Sequence, residues 1–137
     1  MTIELWALFG ATFTLFLSIF IQQIAIDRAY GAKYAVSNRG ELPGPPSAIV
    51  GRLTNLVRNH VEGLAVFGAL VLIAHAAGVS NTITQYAALA ILAARVLHFV
   101  FFSLGITPLR SLAWGFGFLL ATPAFIYGLI SSTGLPF

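Results

Sequence analysis

Four long apolar runs, broken only by short polar or glycine- and proline-bearing segments, restrict this chain to a fold built inside a membrane. They cover residues 3–26, 48–77, 82–104 and 108–130. In hydrocarbon only a helix or a closed barrel satisfies every backbone polar group. A helix crosses with about 20 apolar residues and a barrel strand with about 9–11, so runs of this length read as helices. Charged residues reach only 8 % of the chain, against about 25 % in soluble domains, so no water-facing surface can be covered. The predicted fold class is an all-α integral membrane bundle of four transmembrane helices, with residues 1–137 forming one domain. The first run reads as a true span rather than a cleaved leader. Its one early charge is the acidic Glu4, and it exceeds the roughly 7–15 apolar residues of a leader.

The punctuation between the runs is specific. Leu42-Pro43-Gly44-Pro45-Pro46 cannot continue a helix, and Ser47 is a natural N-cap for span two. Gly78-Val79-Ser80-Asn81 reads as a tight turn with Asn81 or Thr82 capping span three. At the last turn Thr107 suits an N-cap and Pro108 the first helical position. Pro123 is expected to kink span four. The net charge of +3 does not point to nucleic acid, because the basic residues flank apolar runs. Arg28, Lys33, Arg39, Arg52 and Arg110 all fall at one end of the bundle. The positive-inside rule therefore predicts a multi-pass protein with both termini on the non-cytoplasmic side. Trp6, Tyr86 and Tyr127 would then lie at one interface, and Tyr30, Tyr34 and Trp114 at the other. Small residues, Ala87, Ala90 and Ala94 on span three with Gly115 and Gly117 on span four, are expected to mark helix contacts.

Charge inside the spans is the functional signal. Arg52, Asn55, Asn59 and Glu62 follow at i, i+3, i+7 and i+10, one stripe of a helix, with Arg58 on its flank. Ionisable groups facing lipid cost several kcal/mol at the bilayer centre, so the stripe must face other helices or a wet cavity. Arg95 interrupts an apolar run on span three, with His98 and Phe102 at i+3 and i+7. Counting back from Leu104 puts Arg95 about 14 Å deep, a level at which an ion pair with Glu62 is expected. Such a pair either fixes helix register or belongs to a ligand site. With Arg110 at the start of span four, cations outnumber the one carboxylate, which favours an anionic ligand, whether a substrate or a lipid headgroup. His60, one position off the stripe, would point to a neighbouring subunit or to headgroups; His75 would be interfacial. The chain has no cysteine, which excludes disulfides, thiolate metal sites and a cysteine nucleophile. It also lacks ligand-spaced histidines, so no metal is expected.

Together, the four short spans, Asn59-x-x-Glu62 preceded by Arg52 and followed by Phe67, and Arg95 in span three resemble the MAPEG family. These are the membrane-associated proteins of eicosanoid and glutathione metabolism. The segment Gly105-Ile106-Thr107-Pro108-Leu109-Arg110-Ser111-Leu112-Ala113-Trp114 is similar to the same junction in bacterial members, implying a bacterial inner membrane. The resemblance covers nearly the whole chain. It implies a homotrimer with sites between adjacent subunits in the cytoplasmic half of the membrane, and glutathione as cosubstrate. Arg110 matches the arginine that stabilises the thiolate, while Arg52, Asn59, Glu62, Arg95 and His98 would bind the ligand. A nearby guanidinium lowers a thiol pKa, and the ligand supplies the sulfur this chain lacks. The implied activity is that of a transferase or peroxidase acting on lipophilic electrophiles. Glutathione-binding members carry an arginine and two tyrosines where this chain has Asn55, His98 and Phe102. The alternatives are a non-catalytic member that binds a lipid or amphiphile, and a small structural membrane subunit.

Overall fold

The computed structural model describes residues 1–133. Its helices are α1 (Ile3–Tyr30), the short α2 (Ala32–Ala35), α3 (Ala48–Ala76), α4 (Thr82–Leu104), α5 (Thr107–Gly115) and α6 (Thr122–Ser132). A π-helical segment, Phe116–Ala121, joins α5 to α6. Among the described residues four stretches are long and apolar enough to cross a membrane: α1, α3, α4 and the composite Thr107–Ser132. The first span runs past residue 26, because Asp27 to Tyr30 continue it as a mostly exposed last turn.

Burial on α1 inverts the pattern of a soluble helix. Its buried residues are Glu4, Ala7, Ala11, Thr14, Ser18 and Ile26, whereas Trp6, Phe9, Phe13, Phe16, Ile19 and Phe20 are exposed. Where the solvent is hydrocarbon, large apolar side chains gain nothing by hiding, and small residues bring helices close. The buried hydroxyls cost little, since Thr14 donates to the Gly10 carbonyl at 2.9 Å and Ser18 to the Thr14 carbonyl at 2.8 Å.

Helix α4 is the centre of the bundle, packing against α1, α3 and the whole composite span. The main core joins Ala7 and Ala11 of α1, Phe67 and Val71 of α3, Ala88 and Ile91 of α4, and Ala121 and Phe125 of the last span. At Gly117 a Cβ would stand 2.8 Å from that of Ala94, so this expected small-residue contact forms; nothing lies near Gly115. The π segment sits just before Pro123. Its wider turn lets the Gly117 carbonyl accept from both the Thr122 N–H and, at 2.9 Å, the Thr122 hydroxyl.

The turns behave largely as their sequences suggest. Gly78 and Gly105 take φ of +66° and +77°. The N–H groups of Val79 and Ile106 return to the carbonyls of Ala74 and Phe101 at 2.9 and 2.8 Å, a pattern that closes helix C-termini. Ser47 caps α3, and Asn81 caps α4 in a reciprocal box with Thr84. Thr107 is not a cap: α5 begins with it, Ile106 precedes it, and no side chain caps that end.

Asn81 also ties the start of α4 to α6, since its amide donates to the Gly128 carbonyl at 2.8 Å and the Ser132 hydroxyl at 2.7 Å. Beside it Glu4, 2 % exposed, accepts from Thr84 Oγ1 at 2.6 Å and from Ser80 Oγ at 3.1 Å. A carboxylate in a first helical turn is further favoured by the macrodipole. Asn81→Ala removes a cap and an interhelical tie, so it should cost about 1–3 kcal/mol, read as a lower unfolding midpoint in detergent. Asn81→Asp, which keeps the cap but not the donor, should fall between.

Candidate functional site

The buried line of α3 is Leu53, Leu56, His60, Gly63, Phe67, Val71 and Ala74. The polar stripe lies one residue behind it, turned by about 100°. Arg52 and Asn59 are therefore half-buried, while Asn55 and Glu62 are exposed on the single chain. His60 does not point to headgroups or to a neighbour. It is 2 % exposed, and its Nε2 lies 3.3 Å from Nδ1 of His98 on α4, itself buried. One imidazole must donate and the other accept, so the pair fixes each ring's orientation. His75, in the last turn of α3, is exposed.

Arg95 meets α3, but not through Glu62. Its Nη1 donates to the Asn59 carbonyl at 3.3 Å, and its guanidinium lies flat where a side chain of residue 63 would be. Glycine makes room there, and the helix carbonyl supplies a spare lone pair to the half-buried cation. Glu62, turned away by one residue, instead approaches Arg58 at 4.0 Å, the one ion pair among the described residues. The expected Glu62–Arg95 pair is thus replaced by two separate contacts.

A pocket of about 330 Å³ opens between α3, α4 and α5, lined by Asn55, Arg58, Asn59, His98, Phe102, Arg110, Ser111 and Trp114. Of the residues expected to form a site, it gathers Asn59, His98 and Arg110. Arg95 lies behind it against a one-water gap bounded by His98, Trp114 and Gly117, and Glu62 reaches it only through Arg58. Arg52 stands apart, its guanidinium against Gly105 at the C-terminal end of α4, where carbonyl dipoles favour a cation. The Arg110 guanidinium carbon lies 4.7 Å from the centroid of the Phe102 ring. No carboxylate lines the pocket, so two guanidiniums, two amides and a hydroxyl face it, a donor set suited to an acidic ligand.

Sequence reasoning missed Ser111, Trp114 and Gly63. The first two follow Arg110 at i+1 and i+4, and helical periodicity from that arginine would have found Trp114. Gly63 carried a signal too, as a residue without a side chain facing a long cation on the neighbouring span. Among the described residues no three His, Asp or Glu converge as metal ligands.

Gly63→Ala should force the Arg95 guanidinium off the α3 backbone and cost about 1–3 kcal/mol, as overpacking does. Gly51→Ala, where nothing lies within 4 Å of the added methyl, should be neutral or gain up to about 1 kcal/mol. Thermal unfolding of both variants in detergent checks the contrast.

The family whose model matches is the MAPEG family, over residues 3–130. No curated protein and no solved structure matches the chain.

Proposed function

The chain belongs to the MAPEG family, and from that premise we propose that its pocket between α3, α4 and α5 binds glutathione for transfer to, or reduction of, a lipophilic electrophile. One observation carries this reading: a pocket of about 330 Å³ with Arg58 and Arg110 on its walls and no carboxylate among its lining residues. Glutathione brings two carboxylates and a thiol. Asn55, Asn59, Ser111 and Arg58 supply donors for its charged peptide groups. Arg110 stands at the site for the sulfur, where a guanidinium stabilises a thiolate. In transfer, the thiolate forms a carbon–sulfur bond while the leaving group or opened epoxide oxygen takes up the displaced electron pair and a proton. In reduction, two glutathione thiols become a disulfide as a hydroperoxide becomes an alcohol and water.

The reading includes a homotrimer with this pocket at a subunit boundary. Its support is the Arg58–Glu62 pair, whose side chains are 69 % and 67 % exposed on the single chain. Ionised groups within a span do not face lipid, and a second copy would cover them. The arginine-rich end is read as cytoplasmic, following the excess of positive charge there.

A second reading, binding of a lipid or amphiphile without turnover, has its own observation. A groove of about 470 Å³ at the same end is lined by Ile21, Ile24, Ile49 and Leu53 with Arg28 and Ser103, apolar with a single cation.

The deciding measurement is thermal unfolding of the purified protein with and without millimolar glutathione. A specific ligand raises the midpoint by mass action, about 2.7 kcal/mol at one hundred times Kd. Arg110→Ala should keep part of that shift and abolish thiolate formation; Arg58→Ala should reduce the shift itself. No shift in the wild type, together with a shift on adding a single-chain anionic detergent, would replace the first reading by the second.

A further inference from the structure

We propose that Phe102 is a positioning residue for Arg110, its ring face holding the guanidinium at the pocket wall without neutralising it. The chemistry of this proposal rests on the glutathione reading; the placement does not.

Arg110 begins the last span close to the end of the bundle, on a helix whose Leu109 and Leu112 are exposed. A long cationic side chain in that position ordinarily reaches outward to the polar boundary. Here its Cζ lies 4.7 Å from the Phe102 ring centroid, inside the roughly 6 Å range of cation–π attraction. The ring cannot drift away, because Phe102 is 5 % exposed and packs with Leu53 and Leu56 of α3. Its edge is also set by His98, whose ring centroid lies 5.2 Å away at an interplanar angle of 65°. His98 is fixed in turn by the 3.3 Å contact between its Nδ1 and His60 Nε2. A row of four side chains, His60, His98, Phe102 and Arg110, thus runs from the buried line of α3 across α4 to the first turn of α5.

The choice of an aromatic face matters for the charge. A carboxylate partner would hold Arg110 as firmly but would cancel the field that an incoming thiolate needs. Arg110 has no carboxylate within 4.0 Å among the described residues. The charged or titratable groups that share its pocket are Arg58 from α3 and His98 from α4, and Arg58 is engaged by Glu62. Repulsion from Arg58 would drive Arg110 outward, and attraction to the Phe102 ring opposes it. The ring orients the cation and leaves its charge for the ligand.

The test compares the full-length protein carrying Phe102→Leu, Phe102→Met and Phe102→Tyr, with Arg110→Ala identifying the Arg110 side-chain N–H signals by nuclear magnetic resonance. Protons above a ring face are shielded, so the wild type and Phe102→Tyr should show upfield Arg110 signals without any ligand. The ringless variants should not, and methionine preserves enough volume to fold should leucine fail. With glutathione added, the ringless variants should hold about tenfold less thiolate at a fixed pH, read by ultraviolet absorbance, with Phe102→Tyr near wild type. Unshielded Arg110 signals in the wild type overturn the proposal. So does unchanged thiolate in the ringless variants while Arg110→Ala loses it. If the wild type binds no glutathione, the glutathione reading falls, and the ligand-free shielding comparison alone upholds or overturns the placement.

Discussion

A guanidinium on the central helix of a membrane bundle cannot be solvated by the bilayer, so the protein must solvate it, and the accommodation of Arg95 shapes everything around it. Transfer of a charged side chain to the bilayer centre is costly. α4 therefore presses its arginine against α3 where Gly63 leaves the backbone bare and Asn59 offers a carbonyl. There α3 and α4 are joined by a hydrogen bond. In the same packing His60 meets His98, Phe67 enters the main core, and Asn55 and Glu62 of the stripe are exposed.

The rest of the bundle follows from using hydrocarbon as solvent. Large aromatic residues line the outside of α1, and alanine, serine and threonine line its inside. Association then depends on close approach and on interhelical hydrogen bonds. Both are visible at the end that holds Glu4 and Ser132: Gly128 packs against Ile83 and Thr84, and Glu4, Ser80, Asn81 and Ser132 join α1, α4 and α6 through polar contacts. The opposite end carries more charge, with the long 36–47 segment and the pocket. The chain thus keeps a polar clamp at one end and leaves cations available at the other.

The available charge gives the pocket its chemistry. Arg95 donates to a helix carbonyl, and Arg52 lies against Gly105 at a helix end. The two that face the pocket are held differently, Arg58 by Glu62 at 4.0 Å and Arg110 by an aromatic ring. The proposed glutathione site, the proposed subunit boundary and the proposed role of Phe102 all draw on this division. A cation tied to a carbonyl inside the bundle is scaffold, whereas a cation held at a cavity wall can meet a ligand.

Some of this was legible before any coordinates. Hydropathy alone determined four helical spans, because backbone polar groups in lipid admit so few solutions. The Asn59-x-x-Glu62 spacing with Arg95 pointed to the family that the matching family model bears out. The tertiary structure decided which partner each charge takes. Periodicity places residues on a face but not the face against a neighbour, and a rotation of one residue, about 100°, exchanged Glu62 for Gly63 opposite Arg95. The same rotation buried His60 and exposed the stripe. A chain's apolar pattern determines what must leave water, while the pairing of its few charges depends on where two helices touch, which only their packed surfaces settle.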